Sequence, residues 1–273
     1  MSQALTKFDQ LTIQSDFIFK KVMSRKRICK HLLEELLQIK IADISYPEVE
    51  RTLDVYYDSR GIRLDIIVAD DKNTHYNLEM QVKNPVDSLS GEYLLPKRTR
   101  YYQAMMDVDS LQKGQDFDKL PPTFVIFICV FDLFKEAQRV YTFKKQCLEK
   151  PGLALDDQAT VVFLNTLGTN GSVSKDLQSF CDYINNNIVT SEFTDEIAKT
   201  IVDVKYDKKA RKEYMLYEIR MKDLRNEALA EGKVNIAKNL LRMGLSVAEV
   251  AEGTELPVSE IEKIKAELEA VKA

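Results

Sequence analysis

The chain has 273 residues, 45% of them hydrophobic and 30% charged. That mix belongs to a folded protein with ample length for a buried core, and it excludes wholesale disorder. Lys and Arg number 39 against 43 Asp and Glu, a net charge of −4, which excludes a protein that coats nucleic acid by bulk positive charge.

Residues 1–7 lack the charged-then-apolar build of a signal peptide. Ser15 or Asp16 can cap a first helix, and helical periodicity continues through Leu32, Leu33, Leu36 and Leu37. Pro47 stops any helix that would run on past Ile44. Segments 49–57, 62–69 and 76–83 are then rich in β-formers. Gly61 and the polar run 70–74 separate them, which predicts an antiparallel meander. A helix is expected over about 94–111, ended by Gly114. Pro121 and Pro122 lead into 124–131, the longest apolar run. Its length suits a buried strand, whereas a membrane helix needs about 20 residues, so no membrane partner is expected.

Further strands are expected over 139–144 and 160–164. From Val173 onward the pattern is helical, over 173–188, 192–204 and 207–231, with three short helices after Gly232. Gly232 and Gly244 read as joints of this tail, and Ser246 with Glu249 reads as a capping box. The fold class is α/β, a mixed sheet flanked by helices. The expected domains are a core over 1–190 and a helical extension over 191–273 that ends in a three-helix, helix-turn-helix-like segment. The four cysteines form no C-x-x-C, so zinc is not expected, and reduced thiols fit a cytoplasmic location. Two histidines, His31 and His75, exclude chemistry built on several imidazoles.

The polar chemistry concentrates in segment 76–83. Alternation sets Tyr76, Leu78, Met80 and Val82 on one face and Asn77, Glu79, Gln81 and Lys83 on the other. The preceding strand buries Ile62, Leu64, Ile66 and Val68 and turns Arg63 and Asp65 the other way. A hairpin turn centred on Lys72 sets Asp65 directly across from Glu79, with Cβ atoms about 4.5–5.5 Å apart. Carboxylates that close repel unless a cation lies between them. Mg²⁺ meets that need with oxygen ligands while keeping several waters. A solvated polar face is the plainer reading, and a one-residue slip would move Asp65 to the other face.

Several strings now look familiar together. They are Ser15-Asp16-Phe17-Ile18-Phe19-Lys20-Lys21-Val22, Gly61-Ile62-Arg63-Leu64-Asp65, Asn77-Leu78-Glu79-Met80-Gln81-Val82, Arg98-Thr99-Arg100-Tyr101-Tyr102, and Pro121-Pro122 before an apolar strand. In order and spacing they resemble the Rpn family of recombination-promoting nucleases, often labelled transposases, within the PD-(D/E)XK nuclease superfamily. The resemblance covers about 1–165 and runs more loosely through 237–246 and 250–251. It implies a restriction-endonuclease-like sheet and a metal-dependent DNA endonuclease linked to recombination or mobile DNA. Asp65 and Glu79 become the metal carboxylates, with Mg²⁺ as cofactor and Mn²⁺ as a substitute. The implied reaction is attack of an activated water on phosphorus, in line with the leaving 3′ oxygen. Gln81 stands where the superfamily more often has Lys. Its amide can orient water but carries no charge, and Lys83 on the same face is the candidate replacement.

Around this core, Asp16 and Lys20 are one helical turn apart and read either as a cap with an ion pair or as site-facing groups. Glu50 and Asp54 are further acidic candidates. Lys20, Lys21, Arg25 and Lys26, followed by Arg98 and Tyr102, are candidates for nucleic-acid contact. The last helix, from Pro257, mixes Glu with Lys and suits packing or self-association better than a major groove, so a homodimer through the helical tail is expected. A catalytically decayed DNA-binding module and a protein-interaction scaffold are the rival classes.

Overall fold

The computed structural model describes residues 7–46, 52–53, 62–63, 65–86, 91–111 and 114–270, with the backbone alone at 52–53 and 62–63. Helices α1 (Asp16–Met23) and α2 (Lys26–Leu37) precede strands β1 (Ile44–Ser45), β2 (Thr52–Leu53), β3 (Ile62–Arg63), β4 (Ile66–Asp70) and β5 (His75–Gln81). Helix α3 (Leu95–Ser110) follows, then β6 (Thr123–Cys129), β7 (Val140–Phe143) and β8 (Ala159–Asn165). The chain ends in helices α4 (Lys175–Asn186), α5 (Glu192–Tyr206), α6 (Lys208–Arg242), α7 (Val247–Thr254) and α8 (Val258–Ala270).

Six strands form one mixed sheet in the order β1-β4-β5-β6-β8-β7, and β2 pairs with β3 separately. Strands β5, β6 and β8 run parallel, while β1, β4 and β7 are antiparallel to their neighbours. A parallel step needs a crossover, and α3 supplies it between β5 and β6. Central parallel strands are covered on both faces, so β6 is a near-continuous apolar run.

The hairpin β4–β5 carries the predicted register: Ile66 pairs with Leu78, Ile67 with Asn77, and Val68 with Tyr76. Its turn has a local cause. The Asp70 carboxylate accepts from the backbone N–H of Lys72 at 2.9 Å and of Thr74 at 2.8 Å. Asn73 takes the left-handed conformation at φ 62, which asparagine tolerates.

Four expectations are corrected. The strand expected over 62–69 is two strands, with Asp65 at a bend between them. The strand expected to reach Lys83 ends at Gln81, so the alternation that set Lys83 beside Gln81 no longer applies. The polar face of β5 is not a solvated one: Asn77 is 0% and Glu79 2% exposed. Helix α3 lies over that side of the sheet, where Leu95, Tyr102, Met105 and Met106 pack with Val125, Phe127, Cys129 and Phe163. Finally, Gly232 is no joint, since α6 runs through it to Arg242, held in register by its continuous ladder. Gly244 does end the helix, at φ 91, where a Cβ would be strained. Of the segment expected over 49–57, only Thr52–Leu53 is described. Pro47, Glu50, Asp54, Gly61 and Leu64 lie outside the described residues.

The chain divides into two compact units at Asp207 and Lys208. In the first, α5 packs on α1 and α4. In the second, the end of α6 packs with α7 and α8 around Ala237, Val250, Ile261 and Ile264. The Ser246–Glu249 capping box forms as expected. No helix among the described residues is long and apolar enough to cross a membrane.

Two glycines separate close approach from mere presence. A Cβ on Gly168 would lie 2.5 Å from the Gln138 carbonyl oxygen and 2.7 Å from Arg139 Cα. Gly168→Ala should therefore destabilise by about 1–3 kcal/mol. Gly232 meets nothing within 4 Å in the middle of a helix, so Gly232→Ala should stabilise by about 1 kcal/mol. Thermal melts of the full chain should move in opposite directions for the two variants.

Candidate active site

Three elements bring the polar groups together. The β4–β5 register puts residue 65 opposite residue 79, and the Asp65 backbone N–H donates to Glu79 Oε1 at 2.9 Å. Asn77, on the same face two residues earlier, sits so that its amide, turned with nitrogen inward, donates to Glu79 Oε1 and to the Ile66 carbonyl, each at 3.2 Å. Helix α3 contributes Arg98. Its Nη2 lies 3.6 Å from Glu79 Oε2, and its Nη1 donates to Gln81 Oε1 at 3.2 Å. Tyr102, one turn on, accepts from Arg98 Nη2 at 2.5 Å and Nε at 3.2 Å. The guanidinium also lies over the Phe127 ring, 5.5 Å from its centroid. Helix α1 contributes Lys20, whose Nζ lies 2.9 Å from Asp65 Oδ1.

The electrostatics follow from burial. Glu79 is held well above its ordinary 4.5, first by desolvation and second by the nearby Asp65 charge. The Asp65 N–H, Arg98 and Asn77 oppose this without cancelling it. Asp16 is also raised, by desolvation and then by Asp65, with Lys20 and Arg98 pulling the other way. Its side chain remains solvent-exposed, so it forms the open rim of the cluster. Burial raises the Tyr102 hydroxyl too, with the Glu79 charge adding to it. That keeps Tyr102 neutral, able to accept from Arg98.

Of the residues expected from sequence, Asp65, Glu79, Gln81, Lys20, Arg98 and Tyr102 converge. Lys83 lies beyond the end of β5, exposed. The basic run 20–30 does not act as one patch: Lys26 pairs with Asp43 at 2.6 Å, Arg27 with Glu196 at 2.6 Å, and Lys30 donates to the Ala42 carbonyl at 3.0 Å. Lys21 sits over the Phe17 ring, and Arg25 is an exposed helix cap. Tyr101, beside Tyr102 on α3, is 39% exposed. Asn77 is the residue that sequence reasoning passed over. Its signal was its place on the Glu79 face, two positions earlier.

Among the described residues, no three His, Cys, Asp or Glu side chains converge as a preformed metal cage. The donor set is a carboxylate pair. It fits a hard cation that keeps its own waters, and the raised Glu79 carboxyl is the group such a cation would relieve.

A pH dependence follows for the metal-free protein. A carboxyl raised on folding stabilises least when it must ionise, so its burial weakens the fold as pH rises from about 4.5 to about 8. Gln at 79 can still accept from the Asp65 N–H but never ionises. Glu79→Gln should therefore raise the melting temperature in EDTA, by more at pH 8 than at pH 5. Equal shifts at the two pH values would count against a raised Glu79.

A family model described as PD-(D/E)XK nuclease family transposase matches residues 13–231. No curated protein and no solved structure matches the chain. The matched span contains the whole sheet and every residue of the cluster around Glu79. With most of its length so matched, the chain belongs to the PD-(D/E)XK nuclease family transposases.

Proposed function

We propose that the protein is a Mg²⁺-dependent DNA endonuclease that hydrolyses phosphodiester bonds, with Asp65 and Glu79 as the metal carboxylates. The family is one of nucleases linked to mobile DNA, and its superfamily generally uses divalent metals. The observation that carries the reading is a buried carboxylate, Glu79, kept next to a second carboxylate by the hairpin register at a substantial desolvation cost. A bound divalent ion would polarise the scissile phosphate and lower the pKa of an attacking water.

The remaining steps fall to the chain itself. Gln81 shares its amide oxygen with Arg98, which leaves its amide N–H groups to orient water. Charge that Gln81 cannot supply comes from Lys20 and Arg98, on either side of the acidic pair. Arg98 suits a phosphate oxygen because its planar fork offers several donors at once. Lys83 is better suited to contacting DNA outside the pair, since it is exposed past the strand end.

One observation favours a second reading. Lys20 and Arg98 already lie against the two carboxyl groups, so the same cluster could serve a DNA-binding module that no longer cuts.

Cleavage of supercoiled plasmid with Mg²⁺ or Mn²⁺, with EDTA controls, separates the two. Wild type should nick or linearise DNA only with metal, and Asp65→Ala and Glu79→Ala should each lose more than about a hundredfold in rate. Cleavage that persists in either variant would sink the assignment. Salt-sensitive DNA binding without cleavage would favour the second reading.

The cations make a sharper comparison. Lys20→Met should slow cleavage at least about tenfold, while Lys26→Met, whose partner is Asp43, should leave it near wild type. Equal effects would show that Lys20 acts only as general positive charge.

A further inference from the structure

Helix α6 is unusual for its exposure. Residues 219–231 are exposed on every side, including Met221 at 44% and Leu224 at 48%. A helical stretch of this length without packing is marginal in water. Its sequence carries a repeat. Tyr217, Met221, Leu224 and Ala228 are spaced by four, three and four residues, the a/d seam of two heptads. Of the large exposed apolar residues outside this seam, Leu216 and Ile219 do not repeat, since one heptad beyond them stand Asp223 and Asn226; Leu229 and Ile236 are a heptad apart, but the positions at seam spacing between them are Gly232 and Lys233.

The charges flanking the seam define a partner and a direction. With Met221 at a and Leu224 at d, the g positions are Glu213, Arg220 and Glu227, and the e positions are Glu218 and Arg225. In a parallel pair of identical helices, g meets e of the next heptad. That sets Glu213 against Glu218 and Arg220 against Arg225, both like-charged. In an antiparallel pair, g meets g and e meets e. That sets Arg220 against Glu227 and Glu218 against Arg225, both opposite. Tyr217 stacks on Tyr214 with ring centroids 6.3 Å apart, which presets one end of the seam.

We propose that α6 pairs with α6 of a second copy of this chain, as an antiparallel two-helix coiled coil centred between Met221 and Leu224. Met221 then packs beside Leu224 of the partner subunit, and Ala228 beside Tyr217 of the partner subunit. The inference stands apart from the nuclease reading. The seam is short against the about 1,600 Å² of a standard interface, so association in the micromolar range is expected.

Sedimentation equilibrium of the full chain, over about 1–100 µM, tests this. Wild type should form a dimer. Leu224→Glu keeps helix propensity and should weaken it at least about tenfold. Arg220→Glu should also weaken it, and the exchange Arg220→Glu with Glu227→Arg should restore it. Circular dichroism should show each variant folded, with the helix content of wild type diluted to its monomer. A monomer across the range, a dimer indifferent to Leu224→Glu, or tighter association in Arg220→Glu, the sign of a parallel pair, would each overturn the proposal.

Discussion

One buried carboxylate sets the terms for the first unit. An ionised Glu79 in an apolar interior costs several kcal/mol unless hydrogen bonds and opposite charge offset it. The offsets come from the Asp65 backbone N–H, the Asn77 amide and the Arg98 guanidinium. Each depends on a different structural feature. The first needs the hairpin register, which rests on the Asp70 carboxylate holding the turn. The second needs β5 to run straight through residues 77–79. The third needs α3 laid over the sheet, which its contact with Val125, Phe127 and Phe163 secures. Loss of any one removes an offset and pushes the Glu79 carboxyl further toward its protonated form.

The two cations at the site differ in kind. Arg98 is a rigid fork that links Glu79, Gln81 and Tyr102 at once, so it positions as well as neutralises. Lys20 is a point charge on a flexible stem at the rim, paired with Asp65 and close to Asp16. A flexible ammonium can move when another cation arrives. The bonded guanidinium is harder to displace. Such a division keeps the acidic pair tolerable while leaving one side open. The neighbouring basic residues serve the fold instead: Arg27 ties α2 to α5 through Glu196, and Lys26 and Lys30 tie α2 to the segment before β1.

The second unit follows different physics. Its small core around Ala237, Val250, Ile261 and Ile264 holds three helical segments together at one end. Toward its middle, α6 is stabilised only by its own ladder and side-chain pairs. Stability is therefore unevenly distributed along this helix, and its exposed middle is where a partner can add the most.

Much of this was determined by the sequence alone. The alternation in 76–83 and the polar turn 70–74 indicated a hairpin, and a turn centred on Lys72 would set residue 65 opposite residue 79; the structure chose that register over a one-residue slip. The Asp-then-Glu-x-Gln order marked the chemistry, and the apolar run at 124–131 announced a central strand. The capping box at Ser246 was legible because it is a purely local arrangement. Other features were decided only by tertiary structure. Burial of the β5 polar face depends on α3 crossing over it, and no local pattern reports what covers a sheet. Lys20, rather than Lys83, meets the acidic pair because the fold brings α1 to Asp65, 45 residues away in sequence. Gly232 stayed helical because the flanking residues carry the ladder across a single weak position. Local rules fix faces and registers, whereas which charges meet is settled by packing between segments distant in the chain.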